Sequence, residues 1–205
     1  MNAKIVRARE AHERKMIPNG DPKILYEAHL GALVGFPMLI DQGEGYIEKT
    51  LERFVRPPGT RIIAVRDSTV YLQKEYRSET KSFDWRLPGG KVVDSFEEYR
   101  GYIGKEMSSE AIIAAALREL REEAQLEAVL GTIFKKSSCG ASVEWDLYYV
   151  IVYETKEVEY SHNEGEEIEE GKWVDFETLL AMCTKGEIGE DRTVSALYQF
   201  IQSRK

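Results

Sequence analysis

The chain has 205 residues, 42% of them hydrophobic and 31% charged, with a formal net charge of −8. That length supports one domain with a core and an appendage, or two small domains, in an ordinary soluble globular protein. The negative charge argues against a general grip on nucleic acid, so an anionic ligand would have to be met locally by arginines or a metal.

Residues 1–58 carry the weakest patterns. The run ILYEAHL is compatible with strand or helix, and GYIEKTLERFV has helical spacing that stops before Pro57-Pro58. LGALVGFPMLI, Leu30 to Ile40, is too short to span a bilayer, contains Pro37, and lies too far inside for a signal peptide. No membrane partner is expected, and the cytoplasm is the expected location. Further on, TRIIAVRD and TVYLQKEYR are β-branched runs around a tight turn at Asp67-Ser68, and DWRLPGGKVV reads as a strand interrupted at Pro88-Gly89-Gly90. SSEAIIAAALRELREEAQL is a strong amphipathic helix with Ser108 or Ser109 as N-cap. AVLGTIFKK and SVEWDLYYVIVYE read as strands, SHNEGEEIEEG as an acidic loop leading to a strand at KWVDF, and FETLLAMCTKG and RTVSALYQFIQ as closing helices. This order predicts an α+β fold or an α/β/α sandwich with a mixed sheet. Cys139 and Cys183 fit no metal spacing and read as free thiols in a reducing compartment.

The acidic helix poses the functional question. On a wheel of about 100° per residue, Ile113, Leu117, Leu120 and Ala124 fall on one side, with Glu119, Glu122 and Glu123 together on roughly the other. Like charges at i, i+4 weaken a helix by a few tenths of a kcal/mol, and the macrodipole disfavours them in the last turns. A solvated face would account for them. A cation would offset both costs, because hard divalent ions take carboxylate oxygens. Arg118 and Arg121 are placed to steer individual carboxylates. Upstream, LPGGK allows a sharp bend that can aim backbone groups at a metal or a phosphate.

LPGG followed by Glu110, seven residues, then Arg118, Glu119, Leu120, Glu122, Glu123 and Leu126 resembles the Nudix box, G-x5-E-x7-R-E-U-x-E-E-x-G-U with U apolar. Two departures stand out. Gly90 precedes Glu110 by 20 positions, 14 more than the family spacing. Gly104 stands at the formal spacing without the strand and PGG context, so Gly89-Gly90 is read as the functional turn. SFEEYRGYIGKEMS then reads as an insertion, residues 95–108, either a lid or a surface loop. Gln125 replaces the glycine after the last glutamate; in the left-handed conformation it would cost about 1 kcal/mol, or the helix runs on.

The resemblance implies that Glu119, Glu122 and Glu123 ligate Mg²⁺ or Mn²⁺, with the Gly89 carbonyl as a further ligand, and that Gly90 backs the substrate. Arg118 and Glu110 would orient the helix and its carboxylates. The implied reaction is attack of water on a phosphorus of a diphosphate. VYLQKEYRSE and KGEIGEDRTVSALYQFI are similar to stretches of ADP-ribose and nucleotide-sugar pyrophosphatases. That subgroup implies a homodimer formed with the N-terminal segment, a contact from Arg77 to phosphate, and a catalytic base, Glu164, on the acidic loop, with Glu166 and Glu167 equally placed in sequence. Residues 1–58 would be the dimerising extension and 59–205 the hydrolase domain. Trp85, Tyr76 and Tyr102 could stack on a base or belong to the core. Many ADP-ribose hydrolases carry a proline about 16 residues past the box, whereas KKSSCGAS stands here; this favours the wider class of nucleoside diphosphates linked to a sugar or similar group. The alternatives are a non-catalytic nucleotide-sensing module, which usually loses box glutamates, and a Nudix enzyme acting on nucleoside triphosphates or capped RNA; the absence of a basic stripe counts against a long RNA.

Overall fold

The computed structural model describes residues 16–159 and 168–204. In chain order the strands are β1 (Met16–Pro18), β2 (Lys23–Ala28), β3 (Gly31–Asp41), β4 (Tyr46–Val55), β5 (Gly59–Arg66), β6 (Thr69–Arg77), β7 (Ser82–Arg86), β8 (Leu126–Glu127), β9 (Gly131–Ser137), β10 (Val143–Glu144), β11 (Leu147–Val152), β12 (Lys156–Glu157) and β13 (Ile168–Asp175). The helices are α1 (Phe96–Tyr99), α2 (Ser109–Ala124), α3 (Phe176–Lys185) and α4 (Asp191–Gln202). They fall into two compact units. The first holds everything described up to Pro57, with Asp94–Glu106 and Cys139–Trp145; the second holds Pro58–Val93, Met107–Ser138 and the described residues from Asp146 onward.

In the first unit β3 is central, pairing antiparallel with β4 from Ala32↔Val55 to Asp41↔Tyr46. Strands β1 and β2 share its other edge, and β10 adds to β4 in parallel. GYIEKTLERFV is therefore a strand, not the helix its spacing predicts. Continuous pairing with β3 overrides a weak local preference, as tertiary context commonly does. SVEWDLYYVIVYE likewise is two strands: β10 in the first unit and β11 in the second. The 94–106 segment is anchored within the first unit. Ser95 caps α1, Phe96 and Tyr99 are buried, Tyr99 stacks on Tyr102, and Arg100 pairs with Glu27.

The second unit is built on a mixed sheet of order β13-β6-β5-β11-β9, with β7 also on β6. β11 runs parallel to β5 and antiparallel to β9. Asp67, with φ 53, takes the hairpin turn between β5 and β6, as Asp tolerates the left-handed region. Side chains alternate across a sheet. Ile62, Ala64, Tyr148, Val150 and Val152 pack on Ile112, Ala115, Ala116, Leu120 and Ala124 of α2. From the opposite face, Tyr149 meets Thr193 of α4 at 3.2 Å, and Phe134 and Phe176 pack edge-on against Phe200. Helices thus cover both faces, giving the α+β sandwich expected. Among the described residues no helix is long and apolar enough to cross a membrane.

Candidate active site

α2 begins where the Ser108 hydroxyl accepts the Ala111 N–H at 3.2 Å. It ends at Gln125, whose left-handed backbone (φ 53, ψ 34) lets its N–H reach the Leu120 carbonyl. The helix stops at the family position, and Gln125 takes the strained conformation. Its buried stripe is Ile112, Ala115, Ala116, Leu120, Glu123 and Ala124. The wheel is corrected on this point: Glu123, 7% exposed, is part of the inward face, and Glu119 lies beside it with a side chain 14% exposed. A solvated acidic face does not describe these two residues.

Room for them is made by the glycine turn. The Thr60 N–H donates to the Gly90 carbonyl and the Ile62 N–H to the Pro88 carbonyl, both at 2.8 Å, which stitches the turn to β5. Gly89 has φ +147, and a Cβ there would lie 2.2 Å from the Thr60 carbonyl oxygen. A Cβ on Gly90 would fall 2.4–2.7 Å from the Glu119 carboxyl atoms. The two glycines are thus required for different reasons, one by backbone conformation and one by the glutamate lying over it. Gly104 belongs to the first unit.

The carboxylates are held individually. Glu123 Oε2 accepts from the Gly89 N–H and from Gln73 Nε2, both at 2.8 Å. Arg118 Nη2 donates to Glu119 Oε1 at 2.9 Å and to the Lys91 carbonyl at 3.1 Å, while its Nε stands 4.0 Å from Glu122 Oε2. Arg118 therefore ties the helix to the chain just past the turn and orients two glutamates. Among the described residues no three Asp, Glu, His or Cys side chains converge as a ready cation site. The donor set is nevertheless that of a hard divalent cation, all oxygen and mounted on a rigid helix. The buried Gln73 Oε1, which lacks a hydrogen-bond partner, marks unspent polarity beside Glu123. The residues fit such an ion.

A second cluster was not foreseen from sequence. Arg61 Nη1 donates to the Gly89 carbonyl at 2.7 Å, and its Nε to Glu190 Oε2 at 3.0 Å. A carbonyl oxygen has two lone pairs, so this bond does not by itself bar Gly89 from a cation. Arg86, 7% exposed, pairs with Glu190, Asp84 and Glu75. Burial opposes ionisation of Glu190, but Arg61, the Thr193 hydroxyl and Arg86 outweigh it and hold the carboxyl down to about 2. The Asp84 carboxylate also accepts the Gly189 N–H at 2.8 Å, tying the start of α4 to β7.

The structure brings Glu119, Glu123, Arg118, Gly89 and Gly90 together, with Glu122 beside Arg118. Glu110 is exposed in the first turn of α2, about 12 Å along the axis from Arg118 at 1.5 Å per residue. Arg77 is engaged by Glu75 at 2.7 Å and Glu79 at 2.8 Å. Trp85 carries Lys172 Nζ 3.8 Å from its ring centre, and Tyr76 packs edge-on against Phe83. Cys139 is exposed and Cys183 buried, both as free thiols. Glu164, Glu166 and Glu167 lie outside the described residues. Gln73, Arg61, Arg86 and Glu190 were missed; each stands among other polar residues of its strand or turn, as Gln73 does beside Lys74 and Glu75, and no local pattern singles it out.

None of the curated proteins matches the chain. Among solved structures it is similar to one described as the crystal structure of ADP compounds hydrolase, with a TM-score of 0.68 and 19% identity over 95% of this chain and 98% of that one. At that identity the likeness speaks for the fold. The family model for the NUDIX domain matches residues 55–197. That span holds the glycine turn, the capped acidic helix and the covered mixed sheet, and the chain accordingly belongs to the Nudix family of pyrophosphohydrolases.

Proposed function

We propose that the chain hydrolyses the diphosphate bond of a nucleoside diphosphate linked to a sugar or similar group, of ADP-ribose or nucleotide-sugar type, giving a nucleoside monophosphate and a sugar phosphate. The observation that carries this reading is the seating of Glu123 on the Gly89 N–H, with Glu119 over Gly90. Neither seat is needed by a helix that merely covers a sheet. Glu119, Glu122 and Glu123 would hold Mg²⁺ or Mn²⁺. Such an ion, when bound, activates water and neutralises the leaving group. Arg118 keeps Glu119 and Glu122 aimed, and Gly90, having no Cβ, lets the Glu119 carboxylate lie over it. Arg77 would contact phosphate by exchanging Glu75 or Glu79 for the substrate. Glu164 would serve as the base, since a carboxylate engaged by metal is a poor one and a loop can deliver another. The chemistry named in the structural neighbour's description agrees with this substrate class.

The ligand is a small molecule rather than nucleic acid, in keeping with the net charge of −8. A homodimer through residues 1–58 is part of the same reading. The exposed apolar side chains Met16, Ile17, Leu25 and Tyr26 on β1 and β2 support it. A cytoplasmic location accords with the two free thiols. The test is a screen of diphosphate compounds with Mg²⁺, reading released monophosphates by chromatography for the wild type and for Glu123→Gln. Turnover by the wild type, reduced by orders of magnitude in the variant, is the expected result. Tight nucleotide binding without turnover would favour a sensing module, and preference for nucleoside triphosphates would move the substrate class.

A further inference from the structure

We infer that Gln73 is a positioning residue for the metal-binding carboxylate of Glu123, an inference that rests on the proposed cation site. Gln73 lies in the middle of β6 and is 1% exposed. Cross-strand partners flank it on both sides, Arg86 of β7 and Gly171 of β13, so its backbone place is fixed by pairing on two edges. Its side chain reaches α2, where Nε2 donates to Glu123 Oε2 at 2.8 Å.

The orientation of the amide follows from its partner. Turned over, Oε1 would face a carboxylate oxygen at the same distance, lone pair against lone pair. The amide group must therefore present Nε2 to Glu123, and this leaves Oε1 buried without a hydrogen-bond partner. A buried unmatched acceptor costs stability, and an apolar side chain of similar size in β6 would avoid that cost. Packing within β6 alone gives no reason to keep the amide.

Its geometry supplies one. The Gly89 N–H donates to the same Oε2, also at 2.8 Å. Two donors from different parts of the fold, one in a strand and one in the turn, fix a single oxygen. Rotation of the carboxylate about its last bond is thereby stopped, and Oε1 of Glu123 is held at a set angle relative to the glycine turn. Ligand carboxylates are commonly oriented by such outer partners, whose loss typically lowers metal affinity or activity about 10- to 100-fold. Gln73 supplies the half of this clamp that a side chain can supply.

The experiment measures binding of Mn²⁺ alone by electron paramagnetic resonance or calorimetry, for the wild type, Glu123→Gln, Gln73→Met and Gln73→Asn. Met preserves bulk without a donor, and Asn preserves the donor with too short a reach. Thermal melts are recorded on the same samples. Mn²⁺ binding by the wild type that is abolished in Glu123→Gln establishes the cation site independently of Gln73. On that footing, Gln73→Met and Gln73→Asn weaken Mn²⁺ about 10- to 100-fold, while Gln73→Met melts at or near the wild-type temperature. With substrate, the Gln73 variants recover most of their kcat at saturating Mn²⁺ and keep the wild-type KM; general damage to the fold would lower kcat at every metal concentration. Wild-type Mn²⁺ affinity in both Gln73 variants overturns the inference and leaves the cation site standing. Failure of the wild type to bind Mn²⁺, or wild-type binding by Glu123→Gln, overturns both.

Discussion

Gly90→Ala separates the site from the fold more cleanly than removing a glutamate. The backbone of Gly90 lies outside the left-handed region, so alanine can adopt it without strain. Replacing glycine at a compatible position stabilises by about 0.4–1 kcal/mol through the unfolded chain. The new Cβ would sit 2.4 Å from Glu119 Oε2 and 2.5 Å from its Cδ, closer than atoms approach, so the Glu119 carboxylate must swing away. That movement breaks the part-buried Arg118–Glu119 pair, whose side chains are 39% and 14% exposed, at a cost of about 1 kcal/mol. The two terms nearly cancel, and the urea midpoint should stay within about 0.5 kcal/mol of wild type. Catalysis should not survive, because Glu119 no longer faces the turn, and a rate reduced by two orders of magnitude or more is expected at saturating Mg²⁺. Gly89→Ala is the contrasting control. Its φ of +147 and a Cβ 2.2 Å from a backbone oxygen predict lost stability, of about 1–3 kcal/mol from backbone strain alone. Denaturation and initial-rate assays on both variants decide the matter. A Gly90→Ala enzyme with normal turnover would refute the reasoning that Glu119 acts from its seat over this glycine.

Glu190 should leave a signature in acid. Its carboxyl is held at about 2 against an ordinary 4.5, a difference worth about 3 kcal/mol; this stabilisation is fully present above pH 4.5 and is lost as pH falls through 2. Urea melts from pH 7 to pH 2 should show that slope in the wild type and lose it in Glu190→Gln. Gln125→Gly should raise stability by about 1 kcal/mol, since Gln125 holds a left-handed C-cap that glycine adopts freely, with no change in turnover; an unchanged urea midpoint would count against strain at that cap. Sedimentation should give twice the chain mass of 23.5 kDa at micromolar concentration, and Tyr26→Glu, altering the most exposed of the large apolar side chains on β2, should shift it toward monomer. A monomeric wild type would remove the dimer from the proposed function.

What the sequence determined by itself was short in range. The Asp67-Ser68 hairpin, a serine cap at 108 or 109, the amphipathic acidic helix, the two closing helices and the box spacing from Glu110 to Leu126 each depend on residues within a few turns of one another, where pattern and capping chemistry act directly. The glutamates at i, i+3 and i+4 belong to the same class, and so does the expectation of a helix–sheet–helix sandwich. Tertiary structure decided the rest. Tyr46–Val55 became a strand because β3 offered it a full row of partners, and one apolar run was divided between two sheets at Trp145-Asp146. The inward turn of Glu123 needed a glycine 34 positions away and a glutamine 50 away. The Arg61–Glu190 pair spans 129 positions. Local propensity carries no information about which distant polar group will neutralise a buried charge, because that partner is chosen by strand order and register, and only the folded sheet sets those.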